Sequence, residues 1–294
     1  HAKIVMVNNN DVIDCNVSEI TDTIDLPLSS IINQCVFIPL ETNESSLFES
    51  VYHVGLSENY IAIHSRGQHP IKLFGRKGNF IRNIGSIGRG PNEFTSLYCI
   101  QLDEAANRLY LTPFANATQI IVYNLGGEDL EPIPLVYKQT KCKVYVEDDV
   151  VTVLSMPFEG SGIPVAYQQT VNGKLIHELP EIKHLILRPD FSSEISSSFN
   201  GDAYDLFTLA YGSETYDTLY NYDTNIDKLV PKYVNSFSDT NHANWVYEIK
   251  DHYWSFIFGD KYNGAKVIVD KNTLKSDFSI YKTIFLAIFR LTSF

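Results

Sequence analysis

An all-β fold built from repeated four-stranded sheets is the architecture this sequence predicts, and three observations predict it. The 294 residues include 18 Tyr and 17 Phe but only 2 Met, a mix that suits pleated, half-buried surfaces better than helices. Short apolar runs recur about every 48 residues, at positions 60, 108, 150, 206 and 253, and repeats of this length signal stacked units. No stretch of a dozen residues carries the 3.6-residue period of an amphipathic helix. Four strands per repeat at this period mark the blades of a β-propeller, because one such sheet cannot bury both faces until neighbours stack on each side.

The elements follow in chain order. Residues 1–30 are polar and rich in Asp and Asn, and predict an extended leader with little structure of its own; residues 31–294 then form one propeller domain. Residues 34–40 (QCVFIPL) predict a strand, which Pro39 places at a sheet edge, where a missing backbone donor does no harm. Residues 41–50 read as a polar loop or short helical turn. The first repeat places strands at 60–64, 71–74 and 80–84. The second has 108–112, 119–123 and 130–135, with a further strand at 97–102 before it; the third has 150–154, 164–169 and 175–179. The fourth has 206–210, 218–222 and 228–234, and the fifth 253–258, 265–269 and 274–280. Five blades are therefore clear. The last apolar run, 283–294, predicts either an incomplete blade or one closed by an N-terminal strand, with 34–40 as the candidate.

A net charge of −12 and the lack of any Lys/Arg cluster exclude a nucleic-acid partner and disfavour anionic membranes, since both need concentrated positive charge. No apolar run reaches the ~18 residues that a membrane-spanning helix needs. The chain begins without a basic and then apolar signal segment, so the expectation is a cytosolic protein or one whose signal has been removed. Cys15, Cys35, Cys99 and Cys142 are widely spaced with no C-x-x-C pair, which predicts buried thiols, with one disulfide as the alternative.

Between the first and second repeats lie Gly85, Gly88, Gly90, Pro91, Glu93 and Phe94, followed by Leu102-Asp103, Leu109 to Leu111, Ile121 to Tyr123 and Gly127. This unit resembles the NHL repeat of β-propellers, although Thr112-Pro113 stands where the repeat usually carries Asp. Tyr216 to Tyr220, then residues 229–233 and Phe237, together with the early residues 37–42, look like a signature of a secreted bacterial family of six-bladed β-propellers. Many of its members are lipoproteins of gut anaerobes. The resemblance covers roughly residues 20–280 and implies a six-bladed propeller with an extracytoplasmic address in the periplasm or at the cell surface, but no assigned activity.

In a propeller, function usually sits on the face carrying the loops between blades and between second and third strands. Those loops offer Arg89, Asn92 and Glu93, then Arg66, His69, Asn116, Glu159, Glu214, Tyr216, Asp260 and Tyr262 as ligand-binding candidates. Amides, carboxylates, Arg and Tyr of this kind suit hydrogen bonding and ring stacking to a carbohydrate, a peptide or an envelope protein. Glycines 85, 88 and 90 serve backbone conformation, since no Lys-Ser/Thr or helix follows as a phosphate loop requires. His64 and His69 are the residues that a metal pair would use. Asp223, Asn225 and Asp227 have the alternation of a calcium loop without its Gly and Glu, and suit a hairpin turn. No nucleophile elbow, H-E-x-x-H or Walker loop is present. The reading is a non-catalytic binding module with no cofactor. The alternatives are a lactonase-like hydrolase with a divalent metal such as calcium in the channel, or a glycosidase or lyase whose carboxylates meet from different blades.

Overall fold

The computed structural model describes residues 1–27, 29, 34–156, 158–180, 182–185, 192–209, 218–238, 242–259, 261–262 and 264–280. Among them the secondary structure is strands, with only 3₁₀ turns such as Val17–Glu19 and Lys183–Leu185. Contacts divide the chain into two units, residues 35–155 with 166–178, and residues 1–34 with 156–165 and 179–294.

The N-terminal stretch holds β1 (Lys3–Val7), β2 (Asn10–Asn16) and β3 (Thr23–Asp25). Blade one is β4 (Val51–Leu56), β5 (Tyr60–Ser65), β6 (Ile71–Gly75) and β7 (Phe80–Ile84). A short joint follows, β8 (Ser86–Ile87) pairing in parallel with β9 (Glu93–Phe94). Blade two is β10 (Leu97–Asp103), β11 (Arg108–Pro113), β12 (Ala117–Tyr123) and β13 (Asp129–Gln139); blade three is β14 (Cys142–Glu147), β15 (Val150–Ser155), β16 (Ala166–Thr170) and β17 (Leu175–Leu179). Each blade is a four-stranded sheet paired in chain order.

Both faces of these sheets are buried, which is why their middle strands read as continuous apolar runs. Along β11, Leu109 and Leu111 pack with Ala62 and Leu73 of blade one, while Tyr110 between them packs with Val144 and Val153 of blade three. Ile121 and Tyr123 of β12 follow the first side, Ile120 and Val122 the second. Buried glutamines tie the blades together where side chains meet an open backbone. Gln101 Nε2 donates to the Val146 carbonyl at 2.8 Å and its Oε1 accepts from Val146 N at 2.7 Å; Gln169 makes the same two-way clamp on Pro134 and Val136 at 2.6 and 2.9 Å.

In the other unit, blade four is β18 (Glu194–Ser196), β19 (Tyr204–Leu209), β20 (Thr218–Asp223) and β21 (Lys228–Ser236), and blade five is β22 (His242–Ile249), β23 (His252–Gly259), β24 (Ala265–Asp270) and β25 (Ser276–Ile280). Five blades are thus present among the described residues, and the chain is an all-β propeller of four-stranded blades.

The leader departs from the expectation. Rather than lacking structure, β1 and β2 form a hairpin, β2 pairs in parallel with β21 from Ile13↔Tyr233 to Asn16↔Ser236, and β3 pairs in parallel with β25. The outer edges of blades four and five leave open hydrogen-bonding rows, and the leader fills them while burying Val12, Cys15 and Val17. Pro231, which has no N–H to give, lies outside the stretch of β21 that β2 covers. Ser236 Oγ donates to Asp14 Oδ1 at 2.6 Å and Ser238 N to Ser18 Oγ at 2.9 Å at this junction, and a buried network ties β21 to β22 and β23: Tyr233 Oη donates to Asn235 Oδ1 at 2.6 Å, and Asn235 Nδ2 donates to Asn244 Oδ1 and Ser255 Oγ, both at 2.9 Å.

Residues 34–40, expected as the closing strand, carry no strand. Ile38 and Leu40 instead lie on Ile61, Ile63 and Phe74 of blade one, and just beyond them Glu41 N donates to the Gly78 carbonyl at 2.8 Å. Packing a blade face won over edge pairing. The run 283–294 lies outside the described residues. Cys15, Cys99 and Cys142 are buried free thiols, whereas Cys35 is exposed.

If two-faced burial holds the blades, Leu109→Ala, at a fully buried position, lowers the unfolding free energy by about 3 kcal/mol. Ile176→Ala, on the last strand of its blade and 48% exposed, changes it by less than about 0.5 kcal/mol. Urea titration of both variants checks the contrast.

Candidate functional site

The first strands of blades one, two and three, β4, β10 and β14, run side by side, close enough that a Cβ added to Gly55 would sit 2.8 Å from that of Leu102. At the end where these strands begin and the second strands finish, each of the first two carries an extra residue. Pairing slips between Val51 and His53 on β4 and between Leu97 and Cys99 on β10, leaving Tyr52 and Tyr98 as matched bulge residues. A bulge re-aims its side chain and kinks the strand; here two successive blades use the same device at the same place.

Around the two tyrosines gather His53, His64, Phe114, Lys141 and Lys143. The His53 and His64 rings, cross-strand partners in β4 and β5, stack at 5.4 Å with an interplanar angle of 13°. Tyr52 meets both edge-on, at 4.4 and 5.8 Å. Tyr98 stacks on Phe114 at 6.1 Å. Lys143 Nζ stands 5.0 Å from the Tyr98 ring centre, and Lys141 Nζ stands 5.7 Å from both Tyr98 and Phe114. Ammonium groups are attracted to the faces of aromatic rings. In a chain of net charge −12 this is a local concentration of cations.

The imidazoles respond to that surrounding. Burial, then the nearby Lys143 charge and His64, push His53 down to about 3, against a hydrogen bond to the Leu97 backbone that acts the other way. Burial lowers His64 to about 4. Both are therefore neutral at pH 7, when each ring has one N–H to donate and one nitrogen to accept. Among the described residues His53 Nε2 and His64 Nδ1 have no hydrogen-bond partner, though His64 is only 4% exposed. Tyr52 is half-exposed, at 48%.

Of the residues expected from sequence, Arg66 follows the end of β5, its N donating to the Ser50 carbonyl at 2.9 Å. Asn92 and Glu93 work within the joint: Gly90 N donates to Glu93 Oε2 at 2.8 Å, Asn92 Nδ2 donates to Asp129 Oδ2 at 3.0 Å, and Tyr123 Oη donates to the Asn92 carbonyl. Gly85 has φ 87°, and a Cβ there would lie 2.6 Å from the Phe94 ring, which accounts for that glycine. Arg89, Arg66 and Asn116 are exposed on their loops, as is Glu159, and His69 is half-buried beside Gly67. His64 is not brought to His69; its partner is His53. Tyr262 joins an aromatic group with Phe237, His242 and Phe278. It borders a shallow groove of about 530 Å³ that also touches Lys261 and Lys266. Glu214, Tyr216 and Asp260 lie outside the described residues. Asp223 and Asp227 serve the hairpin, Asp223 Oδ1 accepting from Asn225 N and Asp227 Oδ1 from Tyr222 Oη, both at 2.9 Å.

Tyr52, His53, Tyr98, Phe114, Lys141 and Lys143 were not among the sequence candidates, yet a signal for them exists. Ser50-Val-Tyr-His-Val-Gly-Leu56 and Ser96-Leu-Tyr-Cys-Ile-Gln-Leu102 are the same first-strand pattern, with the bulged tyrosine in the same slot.

A carboxylate pair also meets from different blades, in the other unit. Asp205 of β19 hydrogen bonds to Glu248 of β22, and burial with the Glu248 charge pushes Asp205 well above the usual carboxylate range. Lys271 Nζ is 2.6 Å from Glu248 Oε1, and Ser198 Oγ donates to Asp205 Oδ2 at 2.9 Å. Among the described residues no group of three or more His, Cys, Asp or Glu side chains gathers at metal-binding distances, and no helix is long and apolar enough to cross a membrane.

A family model described as "Domain of unknown function (DUF4934)" matches residues 10–290. Among solved structures, a protein of Bacteroides fragilis described as exported is 18% identical with a TM-score of 0.58, over 90% of this chain and 78% of its own. A member of the DUF4221 family from Bacteroides vulgatus is 12% identical with a TM-score of 0.52, over 82% of this chain and 83% of its own. At these identities the likeness is one of fold. No curated protein matches the chain.

The lowered histidines have a consequence for stability. A base whose pKa falls on folding contributes stability that is complete above its unfolded value near 6.5 and is lost as pH falls toward its folded value. Between pH 7 and pH 5, protonation of His53 in the unfolded chain alone lowers stability by about 2 kcal/mol. The change in melting temperature across this range shrinks in His53→Gln; an unchanged slope would show that His53 is not held neutral.

Proposed function

We propose that this chain, which belongs to the DUF4934 family, a domain of unknown function, is an extracytoplasmic binding module that holds its ligand without chemical turnover at the aromatic and cationic cluster on β4, β10 and β14. The matched bulges at Tyr52 and Tyr98 carry this reading. A fold does not need two registers broken at one place to bury its core, whereas a site needs its rings aimed. Flat aromatic faces beside fixed polar nitrogens suit a carbohydrate ahead of a peptide or an envelope protein. The extracytoplasmic address rests on the exported description of the B. fragilis relative in fold and on the family resemblance, which also supplies the sixth blade, the NHL-type joint and the lipoprotein kinship to this reading.

The carboxylates that meet across blades give little support to glycoside cleavage. Such catalysis keeps its two acids at least ~5 Å apart, whereas Asp205 and Glu248 share a hydrogen bond and Lys271 already pairs with Glu248.

Thermal-shift screening of a panel of oligosaccharides and peptides tests the proposal. At least one compound raises the melting temperature, and Tyr52→Ala, a substitution at a half-exposed ring, abolishes that rise while leaving the unliganded melting temperature nearly unchanged. A panel with no stabilising compound, or a rise that survives in Tyr52→Ala, would place the function elsewhere.

A further inference from the structure

Resting on that reading of the site, we infer that its ligand is an acidic sugar, a saccharide bearing one singly charged oxyanion, whose ring lies along Tyr52 and whose anion faces Lys143, His53 and His64. Three observations on the geometry lead there. First, the site is cationic. Among the described residues no carboxylate pairs with Lys143, whose Nζ rests over the Tyr98 ring, so one full positive charge stands beside the stacked histidines without an anion of its own. An ammonium here also argues against a metal cation on the His53–His64 pair, since like charges repel.

Second, two buried ring nitrogens, His53 Nε2 and His64 Nδ1, lack hydrogen-bond partners, and His64 is more than nine-tenths buried. A buried polar atom left without a partner costs about 1–3 kcal/mol, a cost that a ligand supplying the missing partners would remove. The two nitrogens come from neighbouring strands with their rings parallel; an open nitrogen that is protonated donates to an oxygen of a carboxylate or sulfate ester, and one that is the acceptor of a neutral ring takes a hydroxyl of the sugar. Third, the charge count selects the class. With both imidazoles of the free protein neutral near pH 7, the cation that acts on His53 is Lys143, Lys141 lying over Tyr98 and Phe114, and one adjacent ammonium balances a monoanion better than the dianion of a phosphate monoester.

The groups facing the histidines make binding depend on pH. His53 is faced by His64 and Tyr52 of its own blade, the Leu97 backbone of blade two and Lys143 of blade three; no carboxylate contributes to holding its proton. His64 lies under His53 and Tyr52. An oxyanion arriving beside these rings favours their protonated forms, so the complex takes up protons that the free protein does not, and binding tightens as pH falls from 7.5 to 5.5.

Isothermal titration with galacturonate, galactose 6-sulfate, galactose, inorganic phosphate and an acetylated tripeptide with a free C-terminus tests the inference, at pH 5.5 and 7.5 and in buffers of differing ionisation heat. Galacturonate or galactose 6-sulfate binds, more tightly at pH 5.5 and with proton uptake. Lys143→Met, which keeps the stem over Tyr98, weakens that binding roughly ten- to hundred-fold, and His64→Gln removes part of the proton uptake. The two acidic sugars separate carboxylate from sulfate recognition. Equal binding of galactose and galacturonate would overturn the acidic class while leaving a sugar-binding module standing. Binding of the tripeptide alone would overturn the sugar, binding of phosphate above both acidic sugars would overturn the monoanion, and binding of no probe at either pH would overturn the inference itself. The general reading of the site would then be judged by the wider screen and Tyr52→Ala.

Discussion

Everything in this protein depends on the fact that a four-stranded sheet with two apolar faces has no stable existence by itself. Residues one apart on β11 and β12 point to different neighbours, Leu109 and Ile121 to one blade and Tyr110 and Ile120 to the next, so each blade is half of two cores. Dispersion and the removal of apolar surface from water act through every such pair of faces. The glutamine clamps of Gln101 and Gln169 show the polar side of the same constraint: where a blade's strand approaches its neighbour's backbone, a side-chain amide must stand in for the missing ladder.

Stacking of this kind brings the first strands of successive blades together, and that crowding creates the site. β4 and β10 approach so closely that glycine is required at position 55. At their starting ends each carries a bulge, which turns Tyr52 and Tyr98 out of register. Two lysines and two histidines then share a volume lined by aromatic rings. His53 loses its charge because burial and Lys143 both oppose it, and His64 because it is buried, while the lysines lie over the faces of Tyr98 and Phe114. The result is a cationic spot built of two ammonium groups and two ring nitrogens without partners among the described residues.

The outer edges pose the opposite problem, an excess of open backbone. Blades four and five solve it with the N-terminal segment, whose β2 and β3 run parallel to β21 and β25. Polar contacts pin β2 there, Ser236 Oγ donating to Asp14 Oδ1 and Ser238 N to Ser18 Oγ, and so favour a single register for strands that apolar contact alone would leave free to slide.

The sequence by itself determined the repeat and most of the strands within it. Second and third strands are buried on both faces and read as unbroken apolar runs, as in 108–112 and 119–123, and the turns between them carry Gly, Asn and Asp for stated backbone reasons. It also marked the joint at 85–94, whose glycines answer to φ and to close approach. First strands such as β4 and β14 were far less legible, since they alternate Tyr, His and Lys with apolar residues, and their polarity disguised them as loop. The partnership of His64 with His53 rather than His69, the meeting of Lys143 with Tyr98, and the use of 3–25 as edge strands were decided only by the tertiary structure. They arise between residues tens to hundreds of positions apart, brought together by blade stacking, and no local pattern encodes which faces will meet.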